Sequence, residues 1–315
     1  MVFAYAALGL VILLLAGDAL VKGAVNLSLR MGIPALIVSL TIVAFGTSAP
    51  ELLISIQAAL AGVPGIALGN VVGSNTANVL AVLGVPALIT VMHTSTHDTR
   101  KSYVIMLAAT VLFIGLAMRG VFDALSAAIL LGALALILWD STRDALRHRR
   151  QGKAAPEEDA PEGADPDMPW WKIALFLVLG LVGLPLGADL LVDSATEIAT
   201  MFGVPDTVIG LTLVALGTSL PELATTVMAA LRRQADVALG NVIGSNFFNL
   251  LAIIGIAALI KPMPVDPQFL RFDLWVMLGA SLLLVPFVFL KQDLGRVWGA
   301  ILSALYVTYI VVVLV

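Results

Sequence analysis

Apolar stretches of about 20 residues, long enough to cross a bilayer, follow one another along this chain with short polar breaks between them. Ten spans can be drawn, at about 3–26, 34–61, 66–90, 101–118, 122–139, 170–194, 205–232, 236–260, 271–290 and 295–315. A backbone in lipid must satisfy its own hydrogen bonds, so the pattern predicts an all-α polytopic membrane protein of ten transmembrane helices. The informative positions are the polar ones inside the spans. Thr47, Glu51 and Ser55 recur at every fourth residue and share one helical face, and Asn70, Ser74 and Asn78 do the same in the next span. Both stripes return later, as Thr218, Glu222 and Thr226, and as Asn241, Ser245 and Asn249.

The second set copies the first. Gly46-Thr47-Ser48-Ala49-Pro50-Glu51-Leu52 returns as Gly217-Thr218-Ser219-Leu220-Pro221-Glu222-Leu223, and Gly69-Asn70-Val71-Val72-Gly73-Ser74-Asn75 as Gly240-Asn241-Val242-Ile243-Gly244-Ser245-Asn246. Both returns come after 171 residues (46 to 217, 69 to 240). The register also pairs Asp18 with Asp189, Gly32 with Gly203, Pro34 with Pro205, Thr41 with Thr212, Gly84 with Gly255, and Arg100 with Arg271. Each half holds five spans, and an odd number makes the second half enter the membrane upside down. The expected organisation is therefore two inverted five-helix repeats, residues 1–139 and 170–315, with broken helices at the centre of each. Residues 140–169 join them; this linker is rich in Arg, then in Pro, Ala, Glu and Asp, and without an apolar period it predicts disorder.

Loop charges orient the chain. With the linker cytoplasmic, 14 of the 17 basic residues fall on the cytoplasmic side and 3 (Arg119, Lys261 and Arg271) on the other, with both termini outside. The N-terminus starts apolar without a basic region, which predicts a retained first helix rather than a signal peptide. Composition narrows the chemistry further. The chain is 60% hydrophobic with a mean hydropathy of +1.04, so it is no soluble domain. It has no cysteine, which excludes disulfides and thiolate chemistry, and its three histidines (His93, His97 and His148) fall in expected loops. No Ser/His or His/Glu protease constellation occurs in the spans, so an enzyme is not expected.

A charged side chain at the middle of a bilayer costs about 2.5–3.5 kcal/mol on insertion scales, so Glu51 and Glu222 need a compensating function. The groups around them are hydroxyls and amides, an oxygen-only set that suits hard cations such as Ca2+ and Na+. Pro50 and Pro221 lack an amide donor and clash with a helical carbonyl upstream, so carbonyls near Ala44 and Ala215 are expected to be freed toward a cavity. Asn70, Asn241, Asn75 and Asn246 suit a ligand role and a helix-bridging role equally. Asp18 and Asp189 lie toward the ends of their spans and suggest a cap or a supporting role, while Arg232 and Arg233 are explained by topology.

GTSAPELLIS with GNVVGSNTAN, and GTSLPELATT with GNVIGSNFFN, resemble the paired alpha-repeats of the calcium/cation antiporter superfamily, and most closely its prokaryotic sodium/calcium exchangers. The resemblance spans nearly the whole chain. It implies a secondary active antiporter working by alternating access, with Ca2+ leaving the cell as Na+ enters and the first and sixth spans sliding over a fixed core. The residues lining four adjoining ion positions in that family map here onto Glu51, Thr47, Ser48, Ser74 and Asn78, and onto Glu222, Thr218, Ser219, Ser245 and Asn249. Carbonyls of Ala44 and Ala215 would complete the set. Asn249 is Asp in some relatives, including the potassium-dependent exchangers, so Asn here implies exchange independent of K+. The regulatory Ca2+-binding insert of animal exchangers is missing from the sequence.

The resemblance implies Ca2+ and Na+ as transported substrates, no cofactor, no nucleic-acid partner, and a monomer working in the lipid bilayer of a prokaryotic inner membrane. Two other functions fit the residues. A Ca2+/H+ antiporter would use the buried Glu pair as proton carriers, and a cation channel would use broken helices without coupling.

Overall fold

A computed structural model describes residues 1–96, 98–151, 164–203 and 215–314 of the chain. Helices account for nearly all of it. The first is α1 (Val2–Met31), which ends where Gly32 takes the left-handed conformation (φ 67°) and the Gly32 and Ile33 amides bond back to Leu29 and Ser28. Pro34 then starts α2 (Ala35–Thr47), which stops at Ser48 and continues, bent by 45°, as α3 (Ala49–Ala61). The bend falls where Pro50, in the first turn of α3, can donate no backbone bond to the turn before it.

After α4 (Pro64–Ile89) and α5 (Arg100–Ala117), strand β1 (Val121–Phe122) leads into α6 (Ala124–Gln151). The second half contains α7 (Trp170–Met201), the turn Ala215–Gly217, α8 (Leu220–Leu231) and α9 (Ala235–Ile260). It closes with β2 (Met263–Pro264), α10 (Phe269–Phe289) and α11 (Arg296–Leu314). The bounds of α9 are those of α4 moved by 171 residues, and both helices loosen into a π-turn that begins at an asparagine, Asn78–Val82 and Asn249–Ile253.

Among the described residues eight helices are long and apolar enough to cross a membrane, or nine if the bent pair α2–α3 is one span. The seventh expected span, at about 205–232, begins on residues 204–214, which lie outside the described residues and include Pro205 and Thr212. Its visible part, α8, is apolar but too short to cross alone. One expectation is corrected. The disordered linker was to begin at Asp140, but α6 runs unbroken to Gln151. Asp140 and Asp144 stand one turn apart on that helix and both pair with Lys101 of α5, the first at 2.6 Å, which anchors the extension. Residues 152–163 of the linker lie outside the described residues, and 164–169 lead into α7.

Polar and apolar residues are distributed inside out. Large side chains such as Leu15, Leu136, Trp139 and Val297 are exposed, whereas Glu51, Ser55, Asn78, Glu222, Asn241 and Asn249 have at most 1% of their surface accessible. The core is built on α4 and α9, the most enclosed of the long helices. Here α2 crosses α9 so closely that a Cβ on Gly244 would stand 2.6 Å from both the Leu40 carbonyl oxygen and the Ala44 Cβ. Outside this core α1 and α7 run antiparallel against each other. Gly9 faces Leu191, Gly187 faces Leu13, and Gly180 faces Leu20, with backbone-to-backbone approaches that only glycine permits.

α1 is also tied to the core by charge. Arg232, at the end of α8, donates to Asp18 at 2.5 Å, and Lys22 stands 3.9 Å from the same carboxylate. Asp18 therefore has an electrostatic partner, and Arg232 has a structural use beyond orienting the chain. Changing Asp18 to Asn is expected to lower the unfolding free energy by about 1.5–3 kcal/mol, the scale of a hydrogen bond to a charged group. Thermal unfolding in detergent measures it, and a midpoint equal to that of the unaltered protein would mean the pair contributes nothing.

Candidate cation site

Both carboxylates sit in the first turn of a helix that follows a break. Glu51 is the third residue of α3 and Glu222 the third of α8, and the residues at the two breaks share one backbone conformation, Ser48 at φ −83°, ψ 8° and Ser219 at φ −87°, ψ 2°. Helix N-termini leave amide groups unpaired and carry a partial positive charge, which favours a carboxylate there. Neither glutamate exposes any surface.

The helices α4 and α9 hold these half-helices in place. Asn70 donates its side-chain amide to the Glu51 backbone carbonyl at 3.1 Å and to the Ser55 hydroxyl at 3.2 Å. Asn241 does the same to the Glu222 carbonyl at 3.3 Å and to Thr226 at 3.2 Å. The structure thus assigns Asn70 and Asn241 a bridging role, with their amide nitrogens spent on the half-helix backbone. Contacts also cross between the halves. Ser48 donates to Glu222 Oε1 at 3.0 Å, where Ser245 of Glu222's own half also donates at 3.4 Å. Thr47 bonds to Asn241 Oδ1 at 3.3 Å.

The two sides of the site are unequal. Glu222 Oε1 has two hydroxyl donors, but among the described residues Glu222 Oε2 and both oxygens of Glu51 have no hydrogen-bond partner. Also buried and partnerless are the Thr218 and Ser219 hydroxyls and the side-chain oxygens of Asn78 and Asn249. Buried polar atoms are nearly always paired in folded proteins, because an unpaired one costs about 1–3 kcal/mol. Of the eight such oxygens found among the described residues, all but Ser303 Oγ come from the two repeated motifs, and these seven form a donor set that a hard cation would satisfy.

Ala44 stands apart from this set. Its carbonyl already accepts the Ser48 amide at 3.1 Å, so the break at Pro50 has not freed it, and the one Thr47 hydroxyl proton, 3.3 Å from either oxygen, is shared between this carbonyl and Asn241 Oδ1. Ala215 opens the short turn before the second break. Ser74 is buried on α4, at the position matching Ser245 on α9. Among the described residues no group of three or more His, Cys, Asp or Glu could hold a metal ion, so any cation here rests on two carboxylates and neutral oxygens.

The comparisons with known proteins decide the family. The model of the family described as sodium/calcium exchanger protein matches residues 1–142 and 172–315. The chain belongs to the sodium/calcium exchanger protein family. It is therefore a secondary transporter of the cation-exchanging kind, not an enzyme, and its long apolar helices are transmembrane. A putative antiporter, CaxA, of Alkalimonas amylolytica is 36% identical and aligns over 96% of this chain and 95% of its own length. The sodium/calcium exchanger MaX1 of Methanosarcina acetivorans is 34% identical over 97% of this chain and 96% of its own. A solved structure of the sodium-calcium exchanger NCX_Mj soaked with Na+ and Ca2+ superposes with a TM-score of 0.82 at 29% identity, covering 98% of this chain and 97% of the other. The expectation drawn from the two motifs is met at the level of the family.

Proposed function

We propose that this exchanger moves Ca2+ out of a prokaryotic cell against entering Na+, independently of K+, by alternating access. The observation behind the reading is the donor set of seven buried oxygens, without partners among the described residues, shared between the two repeats around Glu51 and Glu222. The matched relatives named as sodium/calcium exchangers support the choice of ions. The liganding residues are Glu51, Thr47, Ser48, Ser74 and Asn78 with Glu222, Thr218, Ser219, Ser245 and Asn249. The Ala44 and Ala215 carbonyls join only if the breaks rearrange, because Ala44 is engaged in this state. With Asn at both 78 and 249 the site holds two negative charges, which one Ca2+ or two Na+ would balance.

The same proposal includes the architecture: ten helices in two inverted five-helix repeats (1–139 and 170–315), a cytoplasmic linker (140–169), both termini outside, and a working monomer in the inner membrane. Contacts at the two ends of the molecule support this grouping of the loops. At one end β1 pairs with β2, placing Gly120 beside Val265. At the other Met92 pairs with Leu294, His93 meets Asp293, and Lys101 meets Asp140, joining the segments that carry basic charge. The α1–α7 pair, packed through small residues, is the candidate for the sliding element.

Proteoliposomes containing the purified protein test the ion coupling. An imposed Na+ gradient is expected to drive Ca2+ uptake with the potential clamped, and K+ on either side is expected to leave the rate unchanged. Uptake driven by a pH gradient without Na+ would establish a Ca2+/H+ antiporter instead, and single-channel currents would establish a channel.

A further inference from the structure

We propose that Asn75 and Asn246 are positioning residues: each, from one repeat, turns the side-chain oxygen of the other repeat's final stripe asparagine, Asn249 and Asn78 respectively, toward the transported cation. The proposal rests on the exchange reading above and adds to it the residues that decide which end of an amide the cation meets.

Four hydrogen bonds set the direction of these amides. Asn75 donates its side-chain nitrogen to the backbone carbonyl of Asn246 at 3.3 Å, with the sulfur of Met277 at 3.8 Å beside it. Asn246 donates to the carbonyl of Asn75 at 3.4 Å, with the sulfur of Met106 at 3.7 Å. Backbone carbonyls and thioethers only accept. The nitrogen end of each amide is therefore pinned, which a lone asparagine, nearly symmetric in shape, would not be.

Pinning the nitrogen also fixes the oxygen. Asn75 Oδ1 accepts from the side-chain nitrogen of Asn249 at 3.2 Å, and Asn246 Oδ1 accepts from that of Asn78 at 3.1 Å. With their nitrogens occupied, Asn249 and Asn78 have only their oxygens left, and both are buried without a partner among the described residues. Each stands one helical turn beyond Ser245 or Ser74 on the stripe that Ser245 joins to Glu222. A reversed Asn75 would set oxygen against oxygen at Asn246 and nitrogen against nitrogen at Asn249. The amide of Asn249 would then be driven to turn its hydrogens toward a positive ion.

The device is reciprocal because the halves exchange equivalent bonds, as an approximate two-fold requires. Neither repeat orients its own asparagine, so the donor set is complete only when α4 and α9 are in contact. Asn75 and Asn246 are 1% exposed and touch no lipid-facing surface. Their use is internal.

A double-mutant cycle read by equilibrium Ca2+ binding to the purified full chain tests this. Asn75→Leu is expected to weaken Ca2+ binding about tenfold, and Asn249→Ala by a similar factor, since each loses one oriented oxygen. The double variant is expected to match Asn249→Ala alone, because Asn75 acts through Asn249. Losses that multiply, or unchanged binding in Asn75→Leu, overturn the positioning role. Asn246→Leu with Asn78→Ala repeats the cycle from the other repeat should the first variant not fold. Failure of both leucine variants to fold also overturns the role, because the pair would then be structural. The unaltered protein separates the two readings: if it binds no Ca2+, the exchange reading fails, and if it binds Ca2+ while the losses multiply, only the positioning role fails.

Discussion

Glu51→Gln is expected to reduce Na+-driven Ca2+ uptake to the level of protein-free vesicles, and Glu222→Gln to do the same. Each change removes one of the two carboxylates of the proposed site, neither of which exposes any surface. In such a setting the loss of one charged partner costs about 3–5 kcal/mol, or roughly 150- to 5,000-fold in affinity. The protein itself should tolerate both changes. Glu51 makes no side-chain hydrogen bond with a described residue, and at position 222 a glutamine carbonyl can still accept from Ser48 and Ser245. Thermal unfolding without Ca2+ is therefore expected to be unchanged or shifted upward, since a buried charge is removed. Uptake persisting in both variants would refute the site, whereas uptake lost together with the fold would leave the carboxylates a structural role.

The second large effect is expected away from the ions, at Gly244. A Cβ there would meet the Leu40 carbonyl and the Ala44 Cβ at 2.6 Å and the Leu40 Cα at 2.9 Å, so no side-chain rotation relieves it. Gly244→Ala must push α2 away from α9, and overpacking of this kind costs about 1–3 kcal/mol. The displacement passes directly to function, because Ser245 follows Gly244 and the Ala44–Thr47 turn leads to Ser48, and both serines grip Glu222. Both the unfolding midpoint and the rate of Ca2+ uptake are expected to fall. Gly115→Ala, at a position with nothing within 4 Å, is the control, expected to be neutral or stabilising by up to about 1 kcal/mol. Equal behaviour of the two variants would show that the α2–α9 crossing is slack.

Much of this was visible in the chain because two constraints act through sequence alone. Lipid requires long apolar helices, so α1, α4, α5, α7, α9, α10 and α11 appear close to where hydropathy places them. The cost of a charge in lipid singles out Glu51 and Glu222, and duplication at a fixed offset confirms which polar residues accompany them. The misjudged end of α6 has an equally simple cause. Apolar periodicity cannot register a helix held beyond the membrane by Lys101 gripping Asp140 and Asp144 from a neighbouring helix. The partner of Asp18 was hidden for a similar reason, since Arg232 lies 214 residues away along the chain.

The amides show the boundary most clearly. From sequence alone Asn70, Asn75, Asn241 and Asn246 were interchangeable, each a repeated asparagine in an apolar helix. The fold separates them. Asn70 and Asn241 secure the half-helices through the carbonyls of the two glutamates, whereas Asn75 and Asn246 cross between repeats and set the direction of Asn249 and Asn78. The unequal environments of Glu51 and Glu222 likewise have no counterpart in the duplicated motifs.

Sequence by itself thus determined the membrane setting, the duplicated frame and the chemical type of the site, because hydrophobicity, charge cost and periodicity are local properties of the chain. Only the tertiary structure decided which oxygens remain without partners, which amide faces which way, and which half holds its carboxylate. Those depend on contacts between residues about 170 positions apart, where the direction of each hydrogen bond is set by what the other repeat can accept.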